Sequence, residues 1–505
     1  MNHKFSFPRL TIIVGLSSLV YLLVFTLRFP LMRLYATIPP VDYAQLTGRS
    51  LLGVVIYVGG ILLLFGLYGW AFRLTRPSAR DGQRTPPGGC SLLIGSAVLA
   101  AVSIPSYPVM AIDMFSYAIH TRGWALYGLN PLATAPAALP ASDPWIGLAA
   151  EWMDAPSPYG PIWEWLSLAA FRLSGGTFLA HLLALKLLTA LAYLGCVWLI
   201  YQIMRRLRPE WAAAATIAFA WNPLVLLESV QNGHNDIVMV FFLLAALWAL
   251  IRSADEAVPT SSALIRVALA SVLFALSIST KYITVLIIPF FWLALSALQP
   301  DWRRRASAVG LSVFLIGVTV ILLMLPLWPG WENWAVLTTG EQVGRSLLAL
   351  MVLGLNDLVG LSWAFALSRY IVLSIFVLIY LYYFWVSLRQ VKNAPAYMAV
   401  CWPAFYTLFW FVLLTSPIFH AWYLLWFVPL MALLLPARRP WRVSLVFSLT
   451  ALLIIPYFET ARVWYPALLD NHFLGHVIGI PLLIVPPLVA TFWPVGRESD
   501  FADRA

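Results

Sequence analysis

The sequence predicts an all-α polytopic membrane protein, and three observations carry that reading. Of 505 residues, 62% are hydrophobic and only 10% are charged, whereas a soluble domain is about 25% charged. Mean hydropathy is +0.85. Apolar runs of about 17 to 25 residues, the length that crosses a bilayer as a helix, recur from end to end. The alternating ~10-residue signature of an outer-membrane barrel is absent. Hydropathy suggests about fourteen spans, with the closely spaced pair around Lys281 hardest to divide.

Charge then orients the spans. The net charge is +10, but the basic residues are not a nucleic-acid patch. They cluster at Arg73/Arg76/Arg80/Arg84, Arg205/Arg206/Arg208, Arg303/Arg304/Arg305 and Arg438/Arg439/Arg442, with Lys4, Arg497 and Arg504 at the ends. These clusters share one side if the spans alternate. The positive-inside rule therefore places both termini in the cytoplasm of a cell inner (plasma) membrane protein. The partner implied is a lipid bilayer, not nucleic acid. The three cysteines, Cys90, Cys196 and Cys401, support neither a disulfide framework nor a Cys-based metal site.

In chain order, a first span at residues 10 to 28 is expected to stay uncleaved, because no Ala-x-Ala-like site follows it. A second span covers 51 to 74, and a Pro/Gly-rich cytoplasmic linker covers 75 to 89. The third span starts at 91, and the longest external segment follows it, from 111 to 178. Phe115 to Tyr127 and Ile162 to Leu173 have helical spacing there. Trp145, Trp152, Trp163 and Trp165 are the residues a helix lying in the membrane interface would show. Later spans alternate with external turns at Glu228 to Asp236, around Lys281, from Trp328 to Arg345, at Ser416 to Tyr423 and at Tyr457 to His476.

Polar residues at those turns are the candidates for chemistry. Asp113, a lone carboxylate at the far end of an apolar run, reads either as a helix cap or as a general base held against an apolar wall. Arg122 suits bidentate phosphate recognition or snorkelling to headgroups. Ser157-Pro-Tyr159-Gly-Pro161 is a turn by composition. The run Glu228 to Asp236 carries more hydrogen-bonding groups, among them Asn232, His234, Asn235 and Asp236, than a polar hairpin tip requires. Lys281 is the isolated cation of its region, suited to snorkelling or to a buried phosphate. His420 offers a proton-carrying imidazole; Trp422 and Tyr423 read as sugar-stacking rings or as an aromatic belt. No metal site is assigned, because His234 and Asp236 lack further ligands at helical spacing; a hydrated divalent cation bridging carboxylate and phosphate is compatible with the residues. Gly-x-x-x-x-Gly-Lys-Ser/Thr, His-Glu-x-x-His and Gly-x-Gly-x-x-Gly are all absent, leaving nucleotide, zinc-protease and dinucleotide chemistry unsupported.

Asp113-Met-Phe-Ser-Tyr117, Tyr127-Gly-Leu-Asn-Pro131, Ser157-Pro-Tyr-Gly-Pro161, Trp221-Asn-Pro223, Asn232-Gly-His-Asn-Asp236, Thr280-Lys-Tyr282 and His420-Ala-Trp-Tyr423 together resemble polyprenol-phosphate-mannose-dependent mannosyltransferases. The likeness is to the bacterial α-(1→6)-mannopyranosyltransferase group of the GT-C glycosyltransferases. The resemblance implies a GT-C-like bundle with interfacial helices in a long external loop. It implies one glycosyltransferase domain over 1–505, made of an N-terminal pair and linker (1–90), catalytic helices and loops (91–436) and C-terminal helices (437–505). It further implies a hexose, mannose by likeness, moved from a polyprenyl-phosphate donor to an envelope glycan or glycolipid on the external face. Asp113 would be the base. Lys281, Arg122 and His420 would face the donor phosphate, and Tyr117, Tyr159, Asn232, His234, Asn235, Asp236, Trp422 and Tyr423 the sugar or acceptor. A secondary transporter or flippase, and an envelope-polymer ligase, are the competing readings.

Overall fold

A computed structural model of the chain describes residues 6–77, 88–253, 260–331, 343–467 and 471–494. Lys4, Arg80, Arg84, Arg497 and Arg504, with most of the linker that holds Arg80 and Arg84, lie outside the described residues, as does 332–342 of the Trp328–Arg345 turn. Regular structure among the described residues is helical, apart from two isolated bridges, Pro30 to Ser106 and Gly344 to Ile418.

The chain opens with α1 (Ser6–Val20), continued by a π-helical turn at Tyr21–Thr26, then α2 (Leu51–Thr75) and α3 (Gly89–Ser103). Ser50 starts α2 by accepting the Gly53 N–H at 3.2 Å, which satisfies one orphan donor of the first turn. The long loop carries α4 (Asp113–Tyr127) and α5 (Pro161–Leu173), both where helical spacing placed them. Next are α6 (Phe178–Leu207), α7 (Ala212–Ala220), the short α8 (Pro223–Leu226), α9 (Asp236–Ser253), α10 (Thr260–Thr280), α11 (Ile288–Ala297) and α12 (Trp302–Met324). The last part holds α13 (Leu347–Val359), α14 (Leu361–Asn393), α15 (Met398–Trp410), α16 (Val428–Leu433), α17 (Arg438–Trp464) and α18 (His472–Phe492). One apolar core runs through the bundle from Leu10 to Ala490.

The helices make this a multi-pass membrane protein. Among the described residues nine are long and apolar enough to cross a bilayer, or ten if the bent pair Pro209–Ala220 and Pro223–Gln231 is one span. The expected fourteen are not all present as long helices. Hydropathy is blind to backbone breaks, and several apolar runs are divided by them. Tyr282–Ala297, for example, is a 3₁₀ segment leading into α11, and it falls among the apolar helices of 10–17 residues, short of the ~20 that a straight span needs. The outer faces suit lipid. Along α14, Leu361, Trp363, Tyr370 and Leu378 are all exposed, a surface that water would penalise and acyl chains solvate.

The long loop differs from the expectation of a headgroup-facing aromatic belt. Trp163 and Trp145 are buried. The Trp163 ring meets Tyr117 edge-on at 4.8 Å, and Trp145 packs on Phe178 at 4.6 Å. Packing of α4 on α5 takes these two rings inside, while Trp165, Leu126 and Leu173 remain exposed on the outer side of the pair.

Candidate active site

The site begins where a span breaks. After α7 the chain bends by 54° at Trp221-Asn222-Pro223. Asn222 makes the break: its side chain accepts the Leu224 N–H at 3.0 Å and donates to Ser448 Oγ at 3.0 Å, while Pro223 takes the first helical position, where no N–H is needed. The half-helix ends in a π-helical turn, Leu227–Gln231, followed by Gly233 at φ +74°. A Cβ on Gly233 would lie 1.9 Å from the Met114 methyl, so a side chain is excluded by both conformation and space. The segment, richer in hydrogen-bonding groups than a polar hairpin tip requires, is folded inward. Glu228, Gln231, Asn232, His234, Asn235 and Asp236 are all buried.

Lys186, which sequence reasoning passed over, holds this segment. It is fully buried in the middle of α6. Its ammonium donates to the Ser106 carbonyl at 2.7 Å, to the Gln231 carbonyl and, at 3.5 Å, to the Val230 carbonyl. A cation under the C-terminal carbonyls of a half-helix is favourable. It also ties that half-helix to the stretch leading into Asp113. The signal was present as a single ionisable residue inside an apolar run.

Asp113 is the first residue of α4, and the preceding Ile112 makes no side-chain cap. The carboxylate thus sits in the first turn, where the helix dipole favours an anion. Its Oδ2 lies 3.5 Å from His234 Nδ1, and His234 Nε2 lies 3.2 Å from Glu228 Oε2. That Glu228 oxygen also accepts from Asn232 Nδ2 at 2.9 Å. One imidazole therefore sits between two carboxylates. Trp422 stacks on it at 3.9 Å and on His420 at 4.1 Å, which fixes the planes of both rings.

Lys281 follows α10. Its ammonium donates to Asp236 Oδ1 at 2.7 Å, and Trp426 Nε1 donates to the same oxygen. The rings of Tyr159, Tyr423 and Trp426 surround the ammonium at 5.5, 5.7 and 5.6 Å, within cation–π reach. The Ser157–Pro161 turn is clamped onto this strand of chain. Gly160 donates its N–H to the Thr280 carbonyl at 3.0 Å, and a Cβ there would fall 2.1 Å from the Ser279 carbonyl oxygen. Tyr117 meets Tyr159 edge-on at 5.0 Å. Burial, followed by the Asp113 charge, pushes both phenols well above their ordinary range, so they remain neutral.

A cavity of about 380 Å³ opens beside Asp113, bordered also by His420, Trp422, Asp42, Arg345 and Glu459. Burial, then the nearby charges of Arg345, His234 and Lys281, holds the His420 imidazole well below its usual range. It is a neutral hydrogen-bonding group, not a cation. Asn235 has both side-chain amide atoms buried without a protein partner, as are Glu228 Oε1 and Asp236 Oδ2. Such a concentration of orphaned polar atoms marks a place for a polar ligand. Among the described residues no group of three His, Cys, Asp or Glu is placed to hold a metal ion.

Arg122 stands apart from this constellation. Its Nε donates to both Asp143 oxygens at 2.9 and 2.7 Å, and its guanidinium lies 4.5 Å from the Trp145 ring centre. Tyr127 also donates to Asp143, at 2.6 Å. Burial alone would raise the Asp143 carboxyl, but Tyr127, the Trp145 N–H and Arg122 together hold it below its usual value. Arg122 laces the long loop together and does not border the cavity.

Residues 13–297 match the family described as alpha-(1->6)-mannopyranosyltransferase, N-terminal domain. The chain belongs to this family. Alpha-(1->6)-mannopyranosyltransferase B of Corynebacterium glutamicum is 24% identical over 346 residues, covering 62% of this chain and 57% of that protein. A probable alpha-(1->6)-mannopyranosyltransferase of Mycolicibacterium smegmatis is 24% identical over 248 residues, covering 45% and 42%. The chain thus spans about half the length of the curated relatives it matches. A crystal structure of the Archaeoglobus fulgidus oligosaccharyltransferase, complexed with Zn and sulfate, aligns with a TM-score of 0.39 at 13% identity, over 79% of this chain and 53% of that one.

The family match takes in Asp113, Tyr159, the Glu228–Asp236 segment and Lys281. Arg345, His420, Trp422 and Glu459 lie beyond it, so part of the cavity wall is built by the chain outside the matched domain. Of these, Arg345 and Glu459 were not singled out from sequence, and neither were Asp42 nor Glu164 earlier in the chain. Glu164 is buried under the turn and accepts from Ser157 Oγ at 2.6 Å. Burial pushes its carboxyl up to about 7, against the opposing Ser157 bond.

Proposed function

We propose that this chain is a membrane glycosyltransferase, one domain over its whole length, that moves mannose from a polyprenyl-phosphate donor to an envelope glycan or glycolipid on the non-cytoplasmic face. The observation that carries the reading is the meeting of three groups from distant parts of the sequence. They are Asp113 in the first turn of α4, the buried His234 beside it, and the Lys281–Asp236 pair in its aromatic box. Family membership supports it independently.

In this reading Asp113 takes the proton of an acceptor hydroxyl as the oxygen attacks the anomeric carbon. The C–O bond to the lipid phosphate breaks and the configuration inverts. The leaving phosphate gathers negative charge, and preorganised cations lower the barrier to its departure. Lys281 and Arg345 are placed for that role, with neutral His420 as a hydrogen-bonding partner. Arg122 is omitted because its partners, Asp143 and Trp145, belong to the long loop and none of them borders the cavity. Asn232, Asn235 and Asp236 shape the sugar pocket with Tyr117, while Tyr159, Trp422 and Tyr423 supply flat faces. His234 holds Asp113 in place and shares its charge.

A transporter or flippase would carry its ionisable groups near the midplane on broken helices. The bent α7–α8 pair fits that description, so the two readings need separating. Purified protein in proteoliposomes with labelled polyprenyl-phosphate mannose and a mannan acceptor does so. Sugar transfer supports the transferase, movement of donor without transfer supports the transporter, and neither outcome sinks both. Cysteines introduced at the termini and in the 128–140 loop, tested with an impermeant reagent in whole cells, report which face holds the site.

A further inference from the structure

Glu164 is a buried carboxylate that the proposed chemistry does not use. It borders neither the cavity beside Asp113 nor a second one of about 380 Å³, which Arg389 and Arg439 line toward the other end of α17 from Glu459. A carboxylate withdrawn from water is costly unless a neighbour bonds to it. The Ser157 hydroxyl is what offsets its burial, across a bond of 2.6 Å, the length found where a hydroxyl meets a carboxylate.

That bond gives the hydroxyl a direction. With its hydrogen committed to Glu164 Oε1, Ser157 Oγ turns a lone pair toward the Tyr159 N–H, 3.4 Å away, which is how a serine closes a turn on the residue two positions on. The start of the turn is tied separately, by the Ser157 N–H to the Pro131 carbonyl at 2.8 Å. Its end is stitched to both neighbours of Lys281. Gly160 donates its N–H to the Thr280 carbonyl at 3.0 Å, and the Tyr282 hydroxyl reaches the Tyr159 carbonyl at 3.5 Å. Between these two stitches the Tyr159 ring lies over the Lys281 ammonium at 5.5 Å. Tyr117 braces that ring, and Tyr117 in turn meets Trp163, the residue before Glu164.

We propose that Glu164 is a positioning residue for Lys281: through Ser157 it fixes the turn whose Tyr159 ring covers the ammonium. The ring closes one side of the ammonium while Asp236 engages it at 2.7 Å, so the direction left open to an anion is set by where the turn stands. Without an acceptor at position 164 the Ser157 hydroxyl turns its hydrogen elsewhere, the Tyr159 N–H loses its partner and the ring is free to lift. That the ammonium faces a donor phosphate rests on the function proposed above; that Glu164 sets the cover over Lys281 does not.

The test reads Lys281 directly. Full-length protein in nanodiscs is treated with an amine-acylating reagent, and modification of Lys281 is quantified by peptide mass spectrometry against Lys392, on the last turn of α14. Glu164→Leu should raise Lys281 modification about tenfold, as expected for one lost buried hydrogen bond, and Ser157→Ala should do the same. The double variant should exceed neither, because both changes act through one bond. Glu164→Gln still offers Ser157 an acceptor and should restore the wild-type rate. A carboxylate with a packing role alone would lower the unfolding temperature of Glu164→Leu and leave Lys281 modification unchanged; that result, or additive effects in the double variant, would overturn the proposal. If Glu164→Leu fails to fold, Ser157→Ala breaks the same bond and carries the same expectation and the same refutation. Retention of undecaprenyl phosphate by the same samples, measured by native mass spectrometry, separates the two claims. Faster modification with weaker retention supports both Glu164 and the donor reading. Faster modification with unchanged retention supports Glu164 and removes Lys281 as the partner of the phosphate.

Discussion

The two cavities have about the same volume and sit near the two ends of one helix, yet they differ in kind. The cavity beside Asp113 mixes signs, with carboxylates from Asp42, Asp113 and Glu459 facing Arg345 and an imidazole. The other is bordered by Arg389 and Arg439 among aromatic rings. Proton abstraction and departure of a phosphate need a base and a cation within one site, and only the first cavity has both. Size and burial therefore say little about chemistry here; the charges that line each cavity decide it.

After Asp113 itself, breaking the Lys281–Asp236 pair, which lies outside the lining of the mixed cavity, should have the largest consequence. Lys281→Met leaves Asp236 buried with Trp426 as its remaining donor and is expected to lower transfer by about 10²- to 10³-fold. Single-turnover assays with labelled donor measure it. Near-normal turnover would mean that the site's cation lies elsewhere, at Arg345.

Lys186→Met tests the support under the site. It strips the donors from the Ser106 and Gln231 carbonyls, and buried groups left unsatisfied cost about 1–3 kcal/mol each. A lower unfolding temperature is expected together with a fall in turnover, whereas Lys186→Gln, which keeps a donor, should recover part of both. Unchanged stability would show that the half-helix does not depend on this cation.

A smaller effect is expected at His234. His234→Gln keeps hydrogen-bonding groups but loses the ring that Trp422 stacks on, and turnover should drop about tenfold. Unchanged turnover would reduce His234 to a packing residue.

Much of this arrangement was legible in the sequence, and the boundary of legibility has a physical cause. Helix α2 ends within a residue of where hydropathy put it, and α4 and α5 follow the spacing of their apolar residues. Asp113, His234, Asp236, Lys281 and Trp422 stood out because polar or aromatic groups at the ends of apolar runs are costly unless used. Pairing was not legible. Arg122 looks like a phosphate ligand until Asp143, twenty-one residues on, is found against it. The partners of Lys186 are backbone carbonyls, which no composition reveals. Span lengths were not legible for a related reason, since π and 3₁₀ turns interrupt helices without interrupting hydropathy.

The smallest effect lies in the pH dependence of stability. Glu164 has its carboxyl raised to about 7 in the folded protein from an ordinary 4.5. The folded state therefore holds a proton that the unfolded state has lost between those values, and stability falls as pH rises from about 4.5 to 7. Glu164→Gln should remove that slope in thermal unfolding measured across the window. A slope unchanged in the variant would assign it to another group.

The central claim rests on Asp113, and one comparison tests it most directly. Wild type and Asp113→Asn, matched for unfolding temperature and for donor binding, are assayed for transfer of labelled mannose in a single turnover. The account predicts that the variant binds donor as the wild type does and transfers about 10²- to 10⁴-fold more slowly. A variant as active as the wild type would contradict it.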